Sequence, residues 1–273
     1  MYRNTSALNA VRLAFSEPTT LLDRLRTGVE LRKLGRRPRQ SSRHDIDLSW
    51  DQSLHGLLGV PVPCGVRDEF VALWTQIKSA MQKDDERIGE RFDSDWHLGL
   101  AAWCSVRHLR PTVVIETGVA RGVTSWIILE ALRRNDHGHL WSVDLPRLAW
   151  AFDAGDDVPR DLRQRWTFLR GSSKRLLAGV VEEAPPVGLF IHDSLHTDEN
   201  VRFELETVWP ALVDGGFVIV DDIDDDQAYG SGVAFTDFVK LHPDARAFVA
   251  PQDSKPGCFG VIKIERSMRT GIG

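Results

Sequence analysis

An open, doubly wound, mostly parallel α/β sheet with a helical N-terminal extension is the fold class predicted by three observations. Short apolar runs rich in β-branched residues alternate with helical segments through the second half of the chain. Small residues crowd the turn after the first run, and acidic residues close several of the others. A chain of 273 residues suffices for one large α/β domain and a modest extension.

Residues 1–65 differ in texture from the rest and read as a helical, basic extension and linker, with the main domain over 66–273. Thr20 is placed to cap a helix with apolar residues Leu21, Leu22, Leu25, Val29 and Leu34, and Gly35 is its stop. Arg32, Lys33, Arg36, Arg37, Arg39 and Arg43 follow, and Pro61 and Pro63 punctuate the entry to the domain. The basic run reads either as a solvated helix end or as a surface for an anionic substrate, a membrane face or a partner chain.

In the domain, Asp93 or Ser94 precedes a helix through Trp96, Leu100, Trp103 and Leu109 that Pro111 closes. Strands are expected at 112–116, 139–144, 166–170, 187–193 and 217–221, with a helix over 123–134 after the first. Segments 245–250 and 258–265 supply two closing strands. Thr197 caps a helix whose buried face is Val201, Leu205, Val208 and Leu212.

Composition narrows the class. Hydrophobic residues at 42% and charged residues at 27% are those of a soluble globular protein, and a net charge of -5 gives no reason to expect nucleic acid. The N-terminus opens no signal-like apolar run, and no stretch has the length of a bilayer span. Cys64, Cys104 and Cys258 are odd in number and far apart, which supports neither a disulfide framework nor a zinc ribbon. A cytoplasmic protein is expected, with a homo-oligomer open.

Ligands of such sheets bind beyond the carboxyl ends of the strands. After the first strand runs Glu116-Thr117-Gly118-Val119-Ala120-Arg121-Gly122, and small residues at 118, 120 and 122 let the backbone turn tightly at a helix N-terminus. Asp144 closes the second strand, where a carboxylate can accept from two ribose hydroxyls. The dehydrogenase spacing G-x-G-x-x-G is absent. The turn instead resembles motif I of class I S-adenosylmethionine-dependent methyltransferases, with Ala120 in place of the middle glycine. That resemblance implies a Rossmann-like methyltransferase sheet and S-adenosyl-L-methionine held by Glu116, Thr117, Gly118, Ala120, Gly122, Thr124, Ser125, Asp144 and Ser172. Ser172 falls where many relatives carry an acid.

The fourth strand ends at Asp193 and the fifth at Asp221-Asp222, so three carboxylates are expected at one sheet edge. Converging carboxylates repel unless a cation lies among them or one is protonated, and hard oxygen donors suit Mg²⁺. His196 lies between Asp193 and a helix start, at the rim of that edge, and is a candidate general base. His192, inside the apolar strand, reads as packed or supporting. The stretch from Ile191 through Glu204 to Asp222 resembles the metal-dependent sugar O-methyltransferases of the macrocin and mycinamicin type. The resemblance covers about residues 90 to 265. It implies Mg²⁺ or another divalent cation on Asp193, Asp221 and Asp222, with His196 as base. The implied acceptor is a hydroxyl of a small molecule, sugar or glycan. Catechol-type enzymes share the spacing but carry Asn and Lys where Asp222 and His196 stand, so a phenolic acceptor remains the alternative. Cephalosporin-hydroxylase-like proteins also resemble this region, and a cofactor-binding scaffold is the third reading. Asp224 to Asp226 read as a solvated loop, and Tyr229, flanked by glycines, reads either as loop or as part of a substrate lid. Trp96, Trp103 and Trp209 serve either to stack on a ring or to pack the core.

Overall fold

The computed structural model describes residues 15, 17–34, 44–81, 95–145, 154–184, 186–223, 230–254 and 256–266. Four helices come first: α1 (Pro18–Leu34), α2 (Trp50–Leu58), α3 (Arg67–Met81) and α4 (Trp96–Leu109). Then β1 (Val113–Thr117), α5 (Val123–Asn135), β2 (His139–Asp144), β3 (Trp166–Arg170), α6 (Ser173–Glu183) and β4 (Val187–His192) follow. The last elements are α7 (Asp198–Val208), β5 (Leu212–Val220), α8 (Ser231–Leu241), β6 (Ala245–Pro251) and β7 (Cys258–Ile264). They form one seven-stranded sheet in the order β3-β2-β1-β4-β5-β7-β6. The first five of these strands are parallel neighbours, and β7 runs antiparallel to both β5 and β6.

Period-two alternation sends successive side chains of each strand to opposite faces, and here both faces are apolar. Val114, Leu189, Ile191, Phe217 and Ile219 join one buried cluster with Leu54, Phe70, Trp103 and Ile127. Ile115, Phe190, Val218 and Val220 join the other with Leu177, Leu205 and Phe238. Trp50, Leu54 and Cys64 belong to the first cluster, so the core crosses residue 65. Trp103 and Trp209 are core residues, and Trp96 packs on Phe70 and Trp74. Cys64 and Cys104, although 40 positions apart, bring their sulfurs within 3.6 Å. No described helix is long and apolar enough to cross a membrane.

Three local expectations are corrected. Thr20 lies inside α1 and is buried, because Pro18 begins the helix two residues earlier. The apolar residues Leu22, Leu25 and Val29 are 52%, 59% and 51% exposed, since α1 docks through its acids instead. Glu17 meets Arg170 at 3.2 Å, Asp23 meets Arg175 at 2.8 Å and Glu30 meets Lys174 at 2.8 Å. Second, β5 starts at Leu212, with an irregular register between Leu212 and Phe217 where Gly215 adopts φ 76°. Third, Asp95 caps α4, whereas Asp93 and Ser94 lie outside the described residues, as do Gly35, Arg36, Arg37, Arg39, Arg43, Asp224 to Asp226 and Tyr229. Thr197 caps α7 as expected, its hydroxyl accepting from the Asn200 N–H at 3.2 Å.

Asp95 joins the start of α4 to the turn between β6 and β7. Its Oδ1 accepts from the His97 N–H at 2.8 Å, and its Oδ2 accepts from the Asp253 and Ser254 N–H groups at 2.7 and 2.8 Å. Asp95→Ala removes a helix cap and the hydrogen bonds that its buried carboxylate accepts from the turn after β6, so urea melts should show a loss of about 2–3 kcal/mol.

Candidate functional site

The candidate site lies along the carboxyl edge of the central parallel strands. At the nucleoside end, Gly118 at φ 86°, Ala120 at φ 47° and Gly122 at φ 98° make the turn from β1 into α5. Glycine at 118 is required by space as well as by φ, because a Cβ there would collide with the carbonyl oxygen of Asp193. The β1 and β4 ends therefore touch through bare backbone. Gly118, Ala120 and Asp144 are half-buried and border this edge, and Gly171 closes β3 beside them by donating its N–H to Asp144 O at 2.8 Å.

Several side chains expected to bind the cofactor are committed to the scaffold. Glu116 is fully buried, and its Oε2 accepts from the hydroxyls of Ser125 at 2.6 Å and Ser142 at 2.7 Å. Its Oε1 has no hydrogen-bond partner among the described residues. Burial pushes this carboxyl up to about 7, with a further push from the charge of Asp144, against the two hydroxyl hydrogen bonds. Thr117 donates its hydroxyl to Glu204 Oε2 at 2.5 Å, and Thr124 is buried in the first turn of α5. Ser172 stands at the N-cap of α6, and its backbone N–H donates to Asp23 Oδ2 of α1 at 3.0 Å.

At the other end, the pairing of β4 with β5 puts His192 opposite Val220, so Asp193 and Asp221 emerge side by side. Asp193 N–H donates to Thr117 O at 2.8 Å and Asp221 N–H to His192 O at 2.9 Å, which continues the ladder one step past the strands. Ligand atoms of Asp193, His196 and Asp221 all lie within 4.8 Å of one another. His196 stands between two acids, with Nε2 3.7 Å from Asp193 Oδ1 and Nδ1 3.7 Å from Asp222 Oδ2. Asp222 takes φ 49°, a left-handed conformation that Asp tolerates better than most residues.

Two residues of the site escaped the sequence reading. Gln252, buried after β6, donates Nε2 to Asp221 Oδ1 at 2.6 Å and to Asp222 Oδ1 at 3.2 Å. It comes from a strand pair added after the parallel sheet, and no local spacing marks it. Glu204 lies fully buried in α7 and accepts from His192 Nδ1 at 2.6 Å, Ser194 Oγ at 2.8 Å and Asn200 Nδ2 at 2.9 Å. Burial alone would raise its carboxyl. The attraction of His192 and hydrogen bonds from His192, Ser173 and Thr117 outweigh that and hold it below the ordinary range. His192 is thus a packed support, and its ring meets that of His196 edge-on at 5.4 Å.

Residues 115–223 match the family model described as a methyltransferase domain. No curated protein matches the chain by sequence. The O-methyltransferase TomG of Streptomyces achromogenes, involved in tomaymycin synthesis and solved with S-adenosylmethionine, is 14% identical. It aligns over 70% of this chain and 89% of its own, with a TM-score of 0.55. The O-methyltransferase of Bacillus cereus, solved with S-adenosylhomocysteine, is 14% identical over 80% of this chain and 97% of its own, with a TM-score of 0.55. A methyltransferase of Podospora anserina bound to S-adenosylhomocysteine is 13% identical over 83% and 100%, with a TM-score of 0.52. The chain has their Rossmann-like α/β fold.

Gly118→Ala should lower the urea midpoint of unfolding, because the β1 and β4 ends cannot both keep their positions. Glu116 makes stability depend on pH. Its folded value of about 7 lies above the ordinary 4.5, so the folded protein keeps a proton that the unfolded chain releases. Its contribution is complete below pH 4.5 and is lost as pH rises through about 7, a decline of about 3 kcal/mol. Denaturant melts across that window should flatten in Glu116→Gln.

Proposed function

We propose that the protein is an S-adenosylmethionine-dependent O-methyltransferase whose acceptor hydroxyl, on a sugar, glycoside or related small molecule, is held at a divalent cation. The observation that carries this reading is the convergence of Asp193, His196 and Asp221 within 4.8 Å, with Asp222 on the far side of the imidazole. The methyltransferase-domain match and the shared fold support the cofactor; the donor set supports the metal.

The residues fit both groups. A sulfonium with an ammonium is a cationic ligand, and the neighbouring acids Glu116 and Asp144 offer a complementary field, with Glu116 Oε1 lacking a donor among the described residues. When bound, S-adenosylmethionine supplies a methyl group activated by its positive sulfur. Gly118 and Ala120 would let the backbone approach it, Asp144 would accept from the ribose hydroxyls, and the Ser172 segment would border the base. Gly122, Thr117, Thr124 and Ser125 would act through the backbone and the shape of the turn, because the hydroxyls of Thr117 and Ser125 serve carboxylates. Asp193, Asp221 and Asp222 would hold Mg²⁺ or a similar hard cation, which supplies acidity to a coordinated hydroxyl.

The chain's own work is orientation and proton removal. Gln252 fixes two of the three carboxylates through one amide group. Glu204 fixes the segment carrying Asp193 and His196 through Ser194 and His192. His196, between Asp193 and Asp222, would take the proton of the acceptor hydroxyl. Holding the reacting atoms in line accounts for roughly 7–11 kcal/mol in favourable cases.

Purified protein with labelled S-adenosylmethionine, Mg²⁺ and a panel of sugars, glycosides and phenols should yield S-adenosylhomocysteine. Methylation of phenols alone would reassign the acceptor, and cofactor binding without product from any acceptor would favour a scaffold. His196→Ala should lower turnover by roughly a hundred- to ten-thousandfold while cofactor affinity stays within about twofold. Asp222→Asn should raise the metal concentration needed for half-maximal rate, and full activity in excess chelator would remove the cation from the mechanism.

A further inference from the structure

A second polar cluster lies far from the carboxylates, where α2 and the segment after it pack on the C-terminal half of α4. Four side chains of metal-ligating type meet there. His55 comes from α2, Cys64 from the segment before α3, and Cys104 and His108 stand one turn apart on α4. One ligand atom each from His55, Cys64 and Cys104 lies within 4.8 Å of the other two, and all three residues are buried. The two sulfurs are 3.6 Å apart. That is too long for a disulfide bond and close to the edge of a tetrahedron built on metal–sulfur bonds of about 2.3 Å.

The imidazoles supply the independent sign of a ligand. Among the described residues, His55 Nε2 and His108 Nε2 are both buried atoms with no hydrogen-bond partner. Both rings nevertheless lie close enough to the Cys64 sulfur to interact with it, and their centroids are 6.4 Å apart. The opposite nitrogen of His55 is already oriented, with Nδ1 2.6 Å from the Asp51 carbonyl oxygen and 3.1 Å from the Asp51 carboxylate. Metal-bound histidines are commonly oriented this way, by an oxygen acceptor on the nitrogen that does not bind the ion. A buried nitrogen without a partner costs stability in a metal-free protein, whereas an ion would remove that cost.

We propose that His55, Cys64, Cys104 and His108 form a structural zinc site. Two sulfurs and two imidazoles are a donor set that selects a borderline-soft, tetrahedral ion and discriminates against Mg²⁺. With all four positions filled by protein, the site is closed to substrate, and its role is to clip α2 and the Cys64 segment to α4. It is separate from the proposed O-methyltransferase site and does not depend on that reading.

The full chain purified under reducing conditions without chelator should carry about one zinc per molecule by mass spectrometry of the metal. Replacement by Co²⁺ should give thiolate-to-cobalt charge-transfer absorption and tetrahedral d–d bands. Cobalt on the carboxylate cluster cannot give that charge-transfer band, so the two sites are distinguishable. Cys64→Ala and Cys104→Ala should each lose the zinc and the band, and Cys258→Ala should keep both. The proposal is overturned by reduced wild-type protein that holds no zinc and gives no charge-transfer band. It is equally overturned by undiminished zinc in the Cys64→Ala/Cys104→Ala double variant, or by a mass two hydrogens lower that maps to a Cys64–Cys104 disulfide. Should the variants fail to fold, the wild-type cobalt spectrum alone decides.

Discussion

The carboxylate of Glu204, buried out of reach of water, is the constraint on which the carboxyl edge of the central strands depends. A charged group in that position is tolerable only when donors surround it. Its donors come from four elements: Thr117 at the end of β1, Ser173 at the start of α6, His192 and Ser194 at the end of β4, and Asn200 in α7 itself. Satisfying one carboxylate thereby fixes the relation of the β1 turn to the β4 turn. Those two turns carry Gly118 and Asp193, whose backbones are in contact. The position of His196 follows, since it lies between Ser194 and Thr197, both tied to α7.

A comparison with Glu116 shows how the partners of a buried acid decide whether burial prevails. Both carboxyls are inaccessible to solvent. Glu204 faces an imidazole and several hydrogen-bond donors and is held below the ordinary range. Glu116 faces two serine hydroxyls and a neighbouring acid, and burial wins. The same residue type thus supplies a fixed charge beneath the β4 turn and a titrating group beneath the β1 turn.

Much of this was legible in the sequence for a simple reason. Parallel strands buried on both faces are continuous apolar runs, so their ends are visible, and functional residues of such sheets follow those ends. Asp144, Asp193, Asp221 and Asp222 can be placed at strand ends that way, and His196 lies just before the Thr197 cap. Residues brought in from elsewhere left no such mark. Gln252 arrives through an antiparallel pair, and Glu204 looks like one more acid on an amphipathic helix. Cys64 and Cys104 looked isolated because sequence distance says nothing about helix packing. α1 misled in the opposite direction. Its leucines follow a helical period, but Arg170, Lys174 and Arg175 draw its acidic face inward. Of these contacts only the one made by Asp23 has a nearly buried carboxylate, at 3% exposure, and the more exposed pairs contribute little in water.

Backbone strain points to the same two places as the side chains. Four described non-glycine residues adopt positive φ: Arg110, Ala120, Asp136 and Asp222. Arg110 and Asp136 are the C-caps of α4 and α5, where a left-handed residue is an ordinary way to end a helix. Ala120 and Asp222 have no such explanation. Each conformation costs about 1–2 kcal/mol relative to a right-handed one, so each must be held by its surroundings. Ala120 is held by the Gly155 N–H, which donates to its carbonyl at 2.9 Å. Asp222 is held by the Ser231 hydroxyl on its carbonyl at 2.6 Å and by Gln252 on its carboxylate. One strained residue turns the chain around the proposed cofactor, and the other aims an acid at the proposed metal. Strain at both ends of a single edge, supported from outside it, fits the ligand geometry proposed for that edge.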